Sequence, residues 1–273
     1  MHMATSLNPF VQLNYASLDL LNDKSFSTQI LGWLSSEEHK RYKRFVSKQQ
    51  ANQYFLARAL LRSQLSKRVL DVLPHEWIFV IDDYGKPKLA DRFSHLNLHF
   101  NLSHSEELVV VALSEGLKLG VDVEYIHRPV FNMALAKRYF AKTELADLIK
   151  LTEKQKIRRI AQLWTLKESY LKASGLGIRV PLAKLEFCFE GECGLDFSLP
   201  SSLIQPLPAE DSRFIGLFNV FCFGSEYSLA LTIETDKEID ASVIKVNEWT
   251  GLNDQLAGLP CELIRKTASR KLN

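Results

Sequence analysis

Apolar residues in this sequence change twice from helical spacing to the alternation typical of strands, and this doubling limits the folds that the chain can adopt. From Ala51 to Val69 they recur every three or four residues, as on one face of an amphipathic helix. Between Leu96 and Glu124 they alternate with polar residues, as in half-buried strands. Helical spacing then returns and is followed by three strand-like segments, Leu185–Phe189, Phe214–Cys222 and Tyr227–Ile233.

The two series meet near residue 120, so the pattern predicts helices and strands that occur twice over. The second series opens with two predicted helices, Met133–Lys150 and Lys156–Ala173. Three short strands lie between Leu96 and Glu124, where Gly116 and Gly120 help to punctuate them, and they predict an antiparallel meander. After about residue 235 the chain turns polar, and we expect residues 266–273 to be poorly ordered.

The composition is that of an ordinary globular protein. Hydrophobic residues make up 46% and charged residues 24% of the 273 residues, and no apolar run approaches the roughly 20 residues that span a bilayer. The first six residues lack the features of a secretory signal, so we expect a cytoplasmic protein without a membrane role. A net charge of +2 does not indicate nucleic-acid binding, and the four cysteines lack the spacing of a zinc site.

The string Gly120-Val121-Asp122-Val123-Glu124 places two acids on a predicted strand. Side chains two residues apart share a face, so Asp122 and Glu124 should stand side by side while Val121 and Val123 enter the core. Adjacent carboxylates repel each other unless both are hydrated, one is protonated or a cation lies between them. Oxygen ligands alone suit magnesium or manganese. Taken alone, the string is also compatible with the solvated face of an edge strand.

A second string, from Trp164 to Lys172, lies on a predicted amphipathic helix, where Trp164, Glu168 and Lys172 share one line. A Glu–Lys pair on an exposed helix contributes only about 0.3 kcal/mol. The apolar residues around this pair indicate a largely buried helix instead. A buried carboxylate flanked by Lys167 and Lys172 is able to complete a metal site with three carboxylates.

The third string, Asn101-Leu102-Ser103-His104-Ser105, ends a predicted strand. It lacks the Gly-x-Ser-x-Gly elbow of a serine hydrolase, and a lone histidine is often structural. Two hydroxyl groups, an imidazole and exposed backbone amides are nevertheless suited to hold a phosphate.

Together these strings resemble the signature of the 4′-phosphopantetheinyl transferase superfamily, in its larger Sfp-type branch of monomeric pseudodimers. Gly120–Glu124 matches the family's Gly-x-Asp-x-Glu strand, and Trp164–Lys172 matches its Trp-x-x-Lys-Glu-x-x-x-Lys helix at every fixed position. The resemblance implies an α+β fold of two similar α/β subdomains related by pseudo-twofold symmetry, with antiparallel sheets packed against long helices. We place these subdomains at residues 1–118 and 119–249, followed by a tail at 250–273.

The resemblance also implies the roles of individual residues. Asp122, Glu124 and Glu168 would be ligands of Mg²⁺. Lys167 and Lys172 would face phosphate oxygens of coenzyme A, the co-substrate. The nucleotide end of coenzyme A would be held by Ser103, His104 (near the 3′-phosphate) and Lys86, with Arg41 and Lys48 as further contacts.

One departure from the family concerns the residues that would bind the adenosine phosphate. Relatives often have a basic residue in the stretch that Gln49–Gln53 occupies here. Arg58 and Lys48 are the nearby candidates to replace it.

Such a site would let a carrier serine attack the β-phosphate of coenzyme A and release adenosine 3′,5′-bisphosphate. We assign Glu168 as the base, directly or through bound water, and Lys172 as the group that stabilises the transition state, beside Asp122 as a catalytic metal ligand. The partner would be an acidic apo acyl or peptidyl carrier protein that meets a monomeric enzyme. Its docking surface would include residues 128–140 and the basic cluster 154–159, unless the apolar side chains of the first segment form only core contacts.

Two other functions use the same residues. A magnesium-dependent nuclease or phosphodiesterase also needs clustered acids and a lysine, and it would ignore coenzyme A. A non-catalytic module that binds carrier proteins would retain its activity in Glu168→Ala. The carrier could belong to fatty-acid, polyketide, polyunsaturated-lipid or nonribosomal-peptide synthesis.

Overall fold

The computed structural model describes residues 10–82, 85–175, 180–190, 194–198, 215–223, 226–235, 244–251 and 261–267. None of the helices in these ranges is long and apolar enough to cross a membrane. The helices are α1 (Lys24–Leu31), α2 (Ser36–Arg44), α3 (Lys48–Arg68), α4 (Met133–Tyr139), α5 (Lys142–Ile149) and α6 (Glu153–Ser174). The strands are β1 (Val11–Ser17), β2 (Phe79–Ile81), β3 (Pro87–Leu89), β4 (Leu98–Ser105), β5 (Leu108–Glu115), β6 (Leu119–Tyr125), β7 (Glu186–Glu190), β8 (Gly194–Ser198), β9 (Ile215–Phe223), β10 (Tyr227–Thr235), β11 (Ile244–Glu248) and β12 (Cys261–Thr267).

The first sheet has four strands in the order β11-β1-β5-β4. β5 lies between β1 and β4 and is antiparallel to both, whereas β11 extends the sheet in parallel beside β1. Helix α3 packs on one face of this sheet, where its Leu56 and Leu60 share a core with Val109, Val111 and Leu113 of β5.

The second sheet has six strands in the order β6-β10-β9-β12-β8-β7. β10 lies between β6 and β9 and is antiparallel to both. Helix α6 packs on this sheet, and Ile160, Leu163 and Leu166 of the helix share a core with Ala230 of β10.

A third core fills the space between the two sheets. Leu13 of β1 and Val110 of β5 pack there with Val121 and Val123 of β6 and Leu231 of β10, and each of these side chains is at most 1% exposed. The alternation along β6 therefore has the predicted effect, because both valines enter the core while Asp122 and Glu124 lie on the face that α6 covers.

The two sheets repeat one topology, which confirms the predicted pair of similar α/β subdomains. β1-β5-β4 corresponds to β6-β10-β9, and α3 and α6 are the long helices that precede the second and third strands of each set. The boundary at residue 118 stays a prediction. Strand β11 lies within the range assigned to the second subdomain, yet it pairs with β1 of the first sheet.

Short-range contacts explain where the two long helices begin and where α6 ends. Ser47 caps α3 by accepting the N–H of Gln50, and the N–H of Thr152 donates to the Gln155 side chain at the start of α6. Gly175 ends α6 with a φ of 67°, a conformation that favours glycine.

Several expectations about the fold were wrong. The meander does not form, because β6 leaves the hairpin of β4 and β5 and pairs with β10. The helix expected over 133–150 is divided into α4 and α5, since Glu144 accepts the N–H of Ala141 and starts a new helix there. The tail also contains structure, because β12 extends to Thr267 and pairs with β9. Residues 268–273 lie outside the described ranges.

A seam of side-chain hydrogen bonds joins the two sheets where β4 runs beside β6. Alternate residues of β4 point their side-chain oxygens at the backbone of β6, whose N–H groups on that edge have no strand partner in the described chain. The donor–acceptor pairs are Val121 N–H to Asn101 (2.9 Å), Val123 N–H to Ser103 (3.2 Å) and Tyr125 N–H to Ser105 (3.0 Å).

Gly120 allows α6 to lie directly against β6. A Cβ atom at this position would be 2.1 Å from the carbonyl oxygen of Ser169 and 2.4 Å from the backbone nitrogen of Ala173. Because both atoms belong to the backbone of α6, no side-chain movement would relieve the clash. The glycine therefore sets the distance between the strand that carries Asp122 and the helix that carries Lys172.

We expect Gly120→Ala to lower the free energy of unfolding by at least about 2 kcal/mol, because α6 must move away from the sheet. Urea denaturation followed by circular dichroism measures this change. Gly32→Ala is the matched control, since its Cβ would meet only the Gln29 carbonyl at 3.3 Å. Equal stability of the two variants would show that α6 does not lie against β6 at this distance.

Candidate active site

Asp122 is the buried centre of the site. It is 5% exposed, and its Oδ1 accepts hydrogen bonds from the Ser103 hydroxyl at 3.0 Å and the Lys172 ammonium at 2.7 Å. The Lys172 ammonium also donates to the Val121 carbonyl at 3.0 Å. β4, β6 and α6 therefore each contribute one group to this cluster, and Asp122 Oδ2 is buried without a hydrogen-bond partner.

Glu124 lies two residues further along β6 and has its own partners. Its Oε2 accepts from the Ser105 hydroxyl at 2.9 Å and from Arg128 at 2.5 Å. Burial raises the pKa of Glu124, and the nearby charge of Asp122 raises it further. The two carboxylates thus interact across the face of β6, as the sequence predicts.

Glu168 reaches the same region from α6. Burial raises the pKa of Glu168, and the charge of Asp122 is the next largest cause. Glu168 and Lys172 line one cavity of about 330 Å³, as expected for residues four apart on a helix.

The three carboxylates fit a hard divalent cation by their chemistry. Within the described residues, no three Asp, Glu, His or Cys side chains already stand together as a metal-binding group, and protein cations engage Asp122 and Glu124. Asp122 Oδ2 nevertheless has no partner, and the Asp122 charge adds to burial in raising the pKa of Glu168. A cation among such oxygens would relieve the repulsion.

Two neighbouring cavities open beside Lys172. The first, of about 350 Å³, is lined by Arg41, Arg58, Ser103, His104, Asp122 and Lys172 among others. The second is the cavity that Glu168 and Lys86 line, and Gly85, Pro87, Asn101, Leu102 and Lys172 line both. The structure therefore brings together most of the residues that were predicted to hold coenzyme A.

Two predicted contacts do not lie at these cavities. Lys48 is exposed at the first residue of α3 and lines neither of them. The structure also contradicts the predicted phosphate contact of Lys167, whose side chain is fully buried and forms an ion pair with Glu144 at 2.8 Å. Lys167 lies one residue from Glu168 on α6, so its side chain leaves the helix on a different side and enters the second core.

Lys86 lies at the second cavity with its ammonium already engaged. It donates to the backbone carbonyl of Lys172 at 2.7 Å, and burial lowers the pKa of Lys86. The residue therefore links the segment after β2 to the last turn of α6 as well as lining the cavity.

The sequence singled out several site residues without predicting which groups they contact. Asn101 and Ser105 support β6, Ser105 and Arg128 hold Glu124, and Arg58 lines the first cavity. The alternation Asn-x-Ser-x-Ser, each member 20 residues before its partner on β6, was a visible signal for the first two. Nothing in the sequence alone indicated which arginines would be buried.

Two family models match the chain once each half is considered separately. The model described as "4'-phosphopantetheinyl transferase superfamily" matches residues 118–206, and the model described as "4'-phosphopantetheinyl transferase, N-terminal" matches residues 23–116. The two matches meet between β5 and β6.

Individual proteins also align with parts of this chain. The chain is 40% identical to the 4'-phosphopantetheinyl transferase HetI of Nostoc sp. over 177 residues, which are 64% of this chain and 70% of HetI. It is 30% identical to the 4'-phosphopantetheinyl transferase Sfp of Bacillus subtilis over 175 residues, or 64% of this chain and 75% of Sfp. The holo-[acyl-carrier-protein] synthase of Thermotoga maritima aligns at 20% identity and a TM-score of 0.34, over 46% of this chain and 71% of that one.

We expect Lys167→Met to lower the free energy of unfolding by about 3 kcal/mol, because Glu144 would remain as a buried charge without its partner. Urea denaturation of the purified protein measures the loss. Adding Glu144→Gln to Lys167→Met should restore part of the stability by removing that charge. A stable Lys167→Met protein whose KM for coenzyme A rises strongly would instead support a phosphate contact.

Proposed function

Since the chain belongs to the 4′-phosphopantetheinyl transferase superfamily, we propose that it moves the phosphopantetheine arm of coenzyme A to a serine of an apo acyl or peptidyl carrier protein. The observation that carries this proposal is the contact of Asp122 on β6 with Lys172 on α6, at 2.7 Å, beside a cavity lined by Ser103 and His104. An acid for a metal, a cation for phosphate oxygens and polar side chains that hold a phosphate are the parts that this transfer needs.

Asp122, Glu124 and Glu168 are the residues that would hold Mg²⁺. When bound, the ion neutralises charge on the diphosphate of coenzyme A and favours departure of the nucleotide. The support for this assignment is the set of mutually repelling carboxylates and the buried, unpartnered Oδ2 of Asp122. Carboxylate oxygens are the ligands that Mg²⁺ prefers in proteins.

Glu168 is the proposed base. Burial, followed by the charge of Asp122, raises the pKa of Glu168, so this carboxylate accepts a proton more readily than an ordinary glutamate. The proton of the carrier serine passes to Glu168, directly or through water, as the serine oxygen bonds to the β-phosphorus. The bond from the β-phosphorus to the bridging oxygen breaks, and adenosine 3′,5′-bisphosphate leaves.

Lys172 is the proposed stabiliser of negative charge on the leaving phosphate. Its side chain is 28% exposed and lines both cavities, so its ammonium lies where a diphosphate between them would be. The two cavities, of about 350 and 330 Å³, have the size of typical ligand pockets. Ser103, His104 and Lys86 are assigned to the nucleotide end, and Lys86 lines the cavity that Glu168 also lines.

One chain supplies the whole site, which supports a monomeric enzyme. Ser103 and His104 come from the first sheet, Asp122 comes from the second, and no second copy is needed to bring them together. We place the enzyme in the cytoplasm, where coenzyme A is available.

The carrier would dock on the basic surface that follows β6. Phe131 and Phe140 are both 3% exposed in the second core, so these two form core contacts rather than a docking face. The exposed members of this surface are Arg128, Val130, Lys137 and Arg138, with Lys154 and Ile157 at the start of α6. An acidic carrier matches this charge. No feature of the site favours the nuclease or the non-catalytic module over transfer.

We expect the purified chain, incubated with coenzyme A, Mg²⁺ and a panel of apo carrier proteins, to add one phosphopantetheine to at least one carrier. Asp122→Ala should abolish the product, and Glu168→Gln should slow its formation by at least about 100-fold. Intact-protein mass spectrometry measures the product. Glu115→Gln, at an exposed glutamate paired with Arg68, is the control. An unmodified panel, or full activity of Asp122→Ala, would contradict the proposal.

We expect the double variant Lys137→Glu/Lys154→Glu to raise the KM for an acidic carrier about tenfold, because two attractive charges become repulsive. The KM for coenzyme A should not change. Initial rates at varied carrier and salt concentration measure the effect, which should shrink as salt rises. The same reversal at exposed Lys24 on α1 is the control, and an equal loss there would rule out this docking surface.

A further inference from the structure

Four buried hydroxyl groups lie between α6 and β10, on the face of the second sheet that carries Asp122. Two belong to Thr165 and Ser169 of α6, two belong to Ser228 and Thr232 of β10, and none of these residues is more than 1% exposed. The oxygens of Thr165 and Ser228 are 3.1 Å apart, and those of Ser169 and Thr232 are 2.8 Å apart. Apolar side chains would avoid the cost of burying hydroxyl groups, so the two pairs point to a requirement other than packing.

The direction of each hydrogen bond follows from the number of protons. A hydroxyl group has one proton, and each of the two helix hydroxyls donates it to the backbone carbonyl three residues earlier in α6, at 3.0 Å for Thr165 and 2.9 Å for Ser169. The hydroxyl of Ser228 therefore donates to Thr165, and that of Thr232 donates to Ser169. Hydrogen bonds weaken steeply when their geometry changes, so α6 would lose both if it slid along β10.

The two pairs lie on either side of the residue that faces Asp122 across the sheet. Ala230 of β10 is opposite Asp122 of β6, and Ser228, two residues earlier, is opposite Glu124. Thr232 lies two residues after Ala230 on the same face of the strand. The hydrogen bonds of Ser228 and Thr232 therefore fix α6 at two points along the part of the sheet that carries both acids.

Other contacts of α6 set its distance from the sheet rather than its position along β10. The apolar core under the helix has no preferred direction, and the close approach at Gly120 determines only how near the helix lies. Glu168 and Lys172 both move with α6, and Lys172 meets Asp122 at 2.7 Å. A displacement of about 1 Å is enough to impair a site of this kind, so the position of α6 along β10 matters for its chemistry.

We propose that Ser228 and Thr232 are positioning residues of the active site, which hold α6 where Glu168 meets the two acids of β6. Neither residue touches the substrate, and both act through α6. This inference rests on the proposed function, in which the three carboxylates share one divalent cation. Loss of either hydroxyl donor should therefore weaken cation binding more than an equally destabilising change elsewhere in β10.

The test compares Thr232→Val, which removes the donor and keeps the shape, with Ile233→Val. Ile233 is the next residue of β10, is fully buried and packs in the core between the two sheets. Both variants should lower Tm by about 3 °C. At saturating coenzyme A, Thr232→Val should raise the Kd for Mn²⁺ about tenfold and Ile233→Val less than about twofold. Electron paramagnetic resonance of free Mn²⁺ measures this binding without a carrier.

Binding of the nucleotide alone is a second readout. Calorimetry in EDTA should give the same Kd for adenosine 3′,5′-bisphosphate, within about twofold, in wild type and Thr232→Val. The reason is that Ser103 and His104, which are assigned to the nucleotide, belong to the first sheet. An equal loss of nucleotide and Mn²⁺ binding would show general damage to the fold and would overturn the inference.

Conservative and double variants separate positioning from stability. Thr232→Ser keeps the donor and should bind Mn²⁺ within about twofold of wild type. Ser169→Ala/Thr232→Val removes both partners, so Tm should partly recover while the Kd for Mn²⁺ stays raised. Ser228→Ala removes the donor of the other pair, should also weaken Mn²⁺ binding, and serves if Thr232→Val does not fold.

The outcomes distinguish this inference from the proposed function. If wild type binds Mn²⁺ and modifies a carrier, but Thr232→Val binds Mn²⁺ as tightly as Ile233→Val does, the hydroxyl pairs have only a structural role. If wild type neither binds Mn²⁺ nor modifies any carrier, the proposed function fails together with this inference. A raised Kd in Thr232→Val that Thr232→Ser restores, with normal carrier modification by Ile233→Val, supports it.

Discussion

The site depends on the seam in which β4 holds the edge of β6 by side-chain hydrogen bonds. The N–H groups on an unpaired strand edge need partners, and Asn101, Ser103 and Ser105 supply them without adding a strand. The serine hydroxyls then donate to Asp122 and Glu124. The same interaction therefore joins the two sheets and orients both acids, so a change at the seam would affect fold and chemistry together.

Charge in this region is close to balanced, and the balance explains where a ligand would bind. Lys172 forms an ion pair with Asp122, and Arg128 forms one with Glu124, whereas Glu168 has no ion pair among the described contacts. Gly120 brings α6 near enough for these groups to interact. A cation and a diphosphate bring opposite charges to this cluster, so binding them together costs less than binding either alone.

The sequence predicted the chemistry better than the connections between strands. The alternation of apolar residues along β6 correctly predicted that Asp122 faces away from the core between the sheets. The four-residue spacing of Glu168 and Lys172 on one helix correctly predicted that these side chains lie together, and both line one cavity. The pairing of β6 with β10 could not be predicted from the alternation of apolar residues alone. A strand edge that is held by side-chain hydrogen bonds shows the same alternation as an edge that pairs with another strand. The place of Lys167 was missed for a similar reason, because its partner Glu144 belongs to another helix.

The central claim is that Asp122, Glu124 and Glu168 share one divalent cation beside bound coenzyme A. A crystal structure with Mn²⁺ and coenzyme A, with anomalous scattering to locate the metal, tests it most directly. The account predicts one anomalous peak within bonding distance of Asp122 and Glu168, with the diphosphate next to it and Lys172 on a phosphate oxygen. A peak elsewhere, or a bound nucleotide with Asp122 still paired to Lys172 and no metal beside it, would contradict the account.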